Sequence, residues 1–204
     1  MSESNNHAES DQVITNSSLH VVSLISGALW VLIGAFIIYF IHEDGLKNIL
    51  DAPHSVITQI ITGLLFGLIA GYFALKVAFR EDMLPVMEEF KTIKIIRQLP
   101  LSTPGIIAIS LTAGITEEIL FRAALQPVLG IWIASALFVA IHGYFRFSSK
   151  AFILFGMFMF TLSMGLGLLF ELSGLYAAMA AHAMYDFIVI RGIRKQPEPS
   201  GETV

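Results

Sequence analysis

Six stretches of apolar residues, separated by short polar segments, organise this chain: 19–41, 56–79, 104–129, 131–144, 151–170 and 175–190. About 20 helical residues cross a bilayer's hydrocarbon core, so the pattern predicts an all-α, polytopic membrane helix bundle of about six spans. The fourth and sixth stretches are short. They extend into their flanks or lie inside the bundle behind longer neighbours. Pro127 and Gly130 predict a tight turn between the third and fourth spans. Between spans two and three, Val86, Phe90, Ile93 and Leu99 recur near helical spacing, with Lys91, Lys94 and Arg97 interleaved. That pattern predicts an interfacial amphipathic helix over 80–100, a solvated linker helix being the alternative. In span two, Gly63, Gly67 and Gly71 fall four residues apart. Such a ridge lets helices approach closely, and packing inside the bundle is favoured over a dimer face.

Composition supports lipid as the solvent. Hydrophobic residues make up 55% and charged residues 14%, against about 25% charged in soluble domains. The formal net charge of −4, without a basic block, gives no reason to expect a nucleic-acid partner. There is no cysteine, which excludes disulfides, thiol nucleophiles and thiolate metal sites. Residues 1–18 are polar and lack Lys and Arg. They read as a disordered tail rather than the start of a signal peptide. Residues 192–204 form a second polar tail, leaving one transmembrane domain over 19–191. Lys and Arg are distributed unevenly between the two sides. One set of loops and tails carries nine, namely Arg80, Lys91, Lys94, Arg97, Arg146, Lys150, Arg191, Arg194 and Lys195; the other carries Lys47 alone. The positive-inside rule then puts both termini in the cytoplasm of a multi-pass cell-membrane protein.

Against this background the intramembrane charges stand out. Spans three, four and six contribute Glu117, Glu118, Arg122, His142, His182 and Asp186. A charged group at the bilayer centre costs roughly 2.5–3.5 kcal/mol on insertion scales, so six on half of the helices point to one shared polar site. Glu118 and Arg122 lie i, i+4 and can pair on one face. Glu117 lies about 100° around the helix and is free to act as a general acid or base. His182 and Asp186 share a face at i, i+4, and Phe138 would pack one turn before His142. Bringing Glu117 and His142 to one depth calls for a kink or a late helix start in span three. Tyr185 reads as an interface anchor, and Met157, Met159 and Met164 as packing residues.

Several chemistries are excluded by what the spans lack. The H-E-x-x-H of a zinc protease is missing. Asp186 has no second intramembrane aspartate, and the GLGL at 165–168 supplies none. Ser135 and Ser163 lie in no nucleophile motif. What remains is a carboxylate and a histidine activating water, or a metal such as zinc held by Glu117, His142 and His182.

Three motifs carry a resemblance. EEILFR fits E-E-x-x-x-R, FVAIH fits F-x-x-x-H and HAMYD fits H-x-x-x-[ND], in that order and each inside an apolar span. Over roughly 104–190 the chain resembles the CPBP family of intramembrane proteases. That family includes the type II CAAX prenyl endopeptidases and the Abi and bacteriocin self-immunity proteins. The resemblance implies a glutamic-type endopeptidase without a required cofactor, acting in the bilayer on a membrane protein or peptide. It implies that Glu117 and His142 activate water, that His182 and Asp186 stabilise the oxyanion, and that Glu118, Arg122 and Phe138 support the site. A binding or immunity protein keeping the scaffold without cutting is the alternative, as is a zinc-dependent variant.

Overall fold

The computed structural model describes residues 16–42 and 49–195. Most of both predicted tails, and Lys47, lie outside the described residues. The helices are α1 (Asn16–Ile41), α2 (Val56–Ala78), α3 (Leu84–Glu89), α4 (Lys91–Gln98), α5 (Thr103–Glu118), a π-helical segment (Ile119–Leu125), α6 (Gln126–Ile141), α7 (Lys150–Ser173) and α8 (Leu175–Lys195). Three starts are set by serine caps whose hydroxyls accept an N–H from the first turn: Ser55 from Thr58, Ser102 from Gly105 and Ser149 from Phe152. Two boundaries move from the hydropathy expectation. The first helix begins at Asn16, and the last runs to Lys195, so 192–195 is helix rather than tail.

Among the described residues, four segments are long and apolar enough to cross a membrane: Ser18–Ile41, Val56–Ala78, Thr103–Ile141 and Lys150–Ser173. The third is two passes. At Gly130 the backbone leaves the helical region (φ 77, ψ 161), which glycine adopts without a Cβ penalty. The chain folds back there, bringing Phe138 edge-on to Phe121 at 4.9 Å. The expected turn is therefore present. The last helix, α8, is not among the four, because its second half carries Asp186, Arg191, Arg194 and Lys195. It is held inside the bundle instead, with Ala177, Ala178 and Ala181 fully buried.

The ridge of α2 is what admits α8. A Cβ on Gly63 would collide with the Ala177 carbonyl, one on Gly67 with the Ala181 carbonyl, and one on Gly71 would reach Ile188 at 2.8 Å. The ridge serves bundle packing. Gly67→Leu is accordingly expected to destabilise the protein by about 1–3 kcal/mol or more through overpacking, read as a lower unfolding midpoint in detergent; an unchanged midpoint would mean that α8 does not sit on this ridge.

The segment 80–100 departs from the single interfacial helix expected. It forms the two short helices α3 and α4, with Phe90 extended between them (φ −82, ψ 111). The Phe90 side chain is the physical cause. It lies among Tyr144, Phe152 and Phe155, with ring centroids 5.6, 6.1 and 5.3 Å away. Val86, Met87, Phe90 and Leu99 are buried against the bundle, so the apolar face covers protein instead of lying on lipid.

Candidate active site

The hairpin about Gly130 levels the two halves of the site. Glu117 lies 13 residues before the glycine and His142 12 after it, which is about 18–20 Å along each arm at 1.5 Å per residue. Symmetry about the turn, rather than a late helix start, gives the two side chains one depth. Between them the helix widens. In the π segment the Gln126 N–H reaches back five residues to the Phe121 carbonyl, and Leu120, Phe121, Arg122, Ala123 and Ala124 are all buried. Leaving the i→i+4 ladder frees carbonyls that must find other donors. One carbonyl of the segment, that of Ala124, lies 2.9 Å from His42 Nε2. Single π turns of this kind recur at functional sites.

Arg122 and Glu118 form the buried framework. Both side chains are 0% exposed, and Arg122 Nε donates to Glu118 Oε2 at 3.0 Å. The other guanidinium nitrogens are also satisfied. Nη1 donates to Gln126 Oε1 (3.2 Å) and Ser135 Oγ (3.3 Å), and Nη2 to Ser163 Oγ (2.7 Å). The Gln126 amide donates onward to the Gly167 carbonyl at 3.1 Å and to Glu171 Oε1 at 2.9 Å. The predicted clamp is thus the hub of a network joining both arms of the hairpin to α7. A partner on each guanidinium nitrogen helps to make a buried ion tolerable. From the sequence, Ser135 and Ser163 are weighed only as nucleophiles, and Gln126 not at all. Their signal is present in retrospect, since polar side chains in apolar runs need partners.

Glu118 does a second job. Its other oxygen, Oε1, lies 2.7 Å from His182 Nδ1. With an acceptor carboxylate there, Nδ1 carries the proton and Nε2 faces the cavity. Around that Nε2 lie Asp186 Oδ2 at 3.7 Å and Glu117 Oε2 at 3.9 Å. The same Glu117 oxygen is 3.3 Å from His142 Nε2, and His142 Nδ1 lies 2.7 Å from the Phe138 carbonyl. A carbonyl accepts only, so Nδ1 donates to it, and Nε2 faces Glu117 as a second acceptor, placed so that one proton could be shared between them. Phe138 stacks on the imidazole, as its spacing predicts, at 4.4 Å and 26°. All seven residues expected at the site are therefore together: Glu117, Phe138, His142, His182 and Asp186 line one space, with Glu118 and Arg122 behind them.

That space is a cavity of about 340 Å³. Its lining includes the polar Glu117, His142, His182, Asp186, Tyr144 and Tyr185 and, from the covering segment, the apolar Met87, Phe90, Ile93 and Ile96. Tyr185 is a correction. It lines the cavity, its hydroxyl 3.8 Å from Met159 Sδ, because α8 is drawn inward by the glycine ridge and its aromatic face meets protein rather than headgroups. Met159 packs, as expected, in the core beneath it. Among the described residues, no three His, Asp or Glu side chains are arranged to hold a metal ion.

A multi-pass helical membrane protein with a buried glutamate–histidine site defines a class, and comparison with known proteins narrows it. Residues 99–188, a segment that holds all seven site residues, match the family described as type II CAAX prenyl endopeptidase, Rce1-like. A Bacillus subtilis (strain 168) protein, "Uncharacterized protein YpbD", is 42% identical over 94 residues, 46% of this chain and 48% of that protein. The match thus spans about half the length of that relative. No solved structure matches the chain.

Proposed function

We propose that the chain is an intramembrane endopeptidase of glutamic type that hydrolyses a peptide bond of a membrane-associated protein or peptide. The observation that carries this reading is the Glu117–His142 contact at 3.3 Å, facing a cavity lined by both polar and apolar side chains. In the proposed sequence, the Glu117 carboxylate and the His142 imidazole take the proton of a water in the cavity. The hydroxide formed attacks the scissile carbonyl carbon. Negative charge then develops on the carbonyl oxygen, and the His182 Nε2–H donates to it, with Asp186 aligning that ring. For this step His182 acts as the imidazolium, with Nδ1–H donating to Glu118 and Nε2–H left for the oxyanion. The proton held by the Glu117–His142 pair finally passes to the leaving amine, which restores the pair. The apolar side chains lining the cavity would hold the substrate's apolar part. The uneven distribution of Lys and Arg supports an orientation with both termini in the cytoplasm.

Comparing membrane proteomes from cells carrying wild type or Glu117→Gln at matched expression tests this reading. Full-length membrane proteins are expected to accumulate only with the variant. Matching proteomes from a variant that has lost the protein's phenotype would instead favour a binding role. The alternative, zinc held by Glu117, His142 and His182, rests only on the three residues lining one cavity, since they are not arranged as a ligand set. The proposed mechanism predicts that purified protein retains its activity after dialysis against a strong zinc chelator. Activity lost on dialysis and regained with zinc would replace the metal-free mechanism.

A further inference from the structure

The ring of His142 sits on the last turn of α6, where helices fray, yet a water-activating imidazole must hold one orientation. The Phe138 carbonyl fixes one nitrogen, but a single hydrogen bond leaves the ring free to tilt. A second aromatic ring stacks on it, that of Tyr144, at 5.6 Å and 17°. We infer that Tyr144 is a positioning residue that holds the His142 ring in its working orientation. This rests on the proteolytic reading for its effect on turnover, and on geometry alone for its effect on the ring.

The turn that delivers Tyr144 is specific. Gly143 takes a left-handed φ of 70°, its N–H reaches the Ala140 carbonyl at 3.0 Å, and the Tyr144 N–H reaches the Val139 carbonyl at 3.1 Å. This pair of bonds is a Schellman closure, and it folds the residue after the glycine back toward the helix end. The turn is seated on α7 at Gly156, where a Cβ would come within 2.8 Å of the Tyr144 carbonyl oxygen. The ring is braced in turn. Phe90 meets it at 5.6 Å and 73°, and Phe155 at 5.4 Å and 90°. All of these are ring contacts, so a phenyl group serves as well as a phenol. Phe90 belongs to the α3–α4 cover, which connects the seat of that cover to the catalytic imidazole through one side chain.

The test is nitrogen NMR of His142 in protein labelled with 15N-histidine in nanodiscs, paired with turnover on a cleaved substrate. Wild type and Tyr144→Phe are expected to show one His142 tautomer, protonated at Nδ1, and turnover numbers within about twofold of each other. Tyr144→Leu is expected to show an averaged mixture of tautomers and a kcat lower by about 10- to 100-fold, as small misplacements of a reacting group produce, with KM little changed. Tyr144→Met, which fills the space with a flexible chain, serves if the leucine variant folds poorly. A single tautomer and full turnover in both the Leu and Met variants would overturn the inference. So would a Tyr144→Phe variant as slow as Tyr144→Leu, since that outcome places the hydroxyl on the substrate. If wild type cleaves nothing, the proteolytic reading fails, and the tautomer measurement still decides the positioning role.

Discussion

Glu117→Gln is expected to lower kcat by about 10²–10⁴-fold, the range for removing a positioned general base, while leaving the fold intact. The two parts of this outcome have separate causes. Glutamine keeps the size of the side chain and can still reach His142 Nε2, now 3.3 Å from the carboxylate, so packing is preserved. It cannot accept the proton of a water. His142→Ala should cost a similar factor, since in the proposed mechanism the proton taken from water is shared between the two groups. The double variant should then be little slower than either single one, because residues that act as a unit are not additive. Turnover of a purified substrate in liposomes measures all three. Multiplying losses in the double variant would show that Glu117 and His142 work independently, and would break the shared-proton mechanism. Retained turnover in Glu117→Gln would remove the carboxylate from the chemistry altogether.

Arg122→Met is expected to fail in a different way. Removing one partner of a fully buried ion pair costs about 3–5 kcal/mol, because the other charge is left without compensation. Here the stranded group is Glu118, which is 0% exposed, and four further partners lose a donor or a neighbour with it: Ser135, Ser163, Gln126 and, through Glu118, His182. The expected result is a steep loss of folded yield and of the thermal midpoint in detergent, with activity lost as a consequence. Arg122→Lys should recover only part of it, since a single ammonium cannot serve four acceptors in the directions a guanidinium does. A variant combining Arg122→Met with Glu118→Gln removes the uncompensated charge and should regain part of the stability without regaining activity, because His182 then lacks its charged acceptor. Full activity in Arg122→Met would mean that the network is not needed to hold the site.

The residues of this site were legible in the chain for a simple reason. Charge in an apolar span is so costly that Glu117, Glu118, Arg122, His142, His182 and Asp186 advertise themselves, and helical spacing alone pairs Glu118 with Arg122 and stacks Phe138 on His142. The turn at Gly130 and the close-packing role of the Gly63, Gly67 and Gly71 ridge were legible too, since both rest on what a missing Cβ allows. Other features follow from contacts between segments far apart in the chain, which local pattern does not encode. The bond from Glu118 to His182 joins residues 64 apart, and it turns the clamp into part of the site. Ser135, Ser163 and Gln126 are ordinary polar residues until the hairpin and α7 carry them to one guanidinium. Tyr185 changes from an expected lipid anchor to a cavity wall because α8 is drawn against α2. The amphipathic pattern over 80–100 states that one face is apolar but not what covers it; the aromatic pocket around Phe90 broke that helix in two and placed it over the cavity. The sequence by itself thus determined the membrane helices and the chemistry they carry, through local spacing and the cost of burying charge. Tertiary packing alone decided which of those groups meet, because only there are distant segments brought within hydrogen-bond reach.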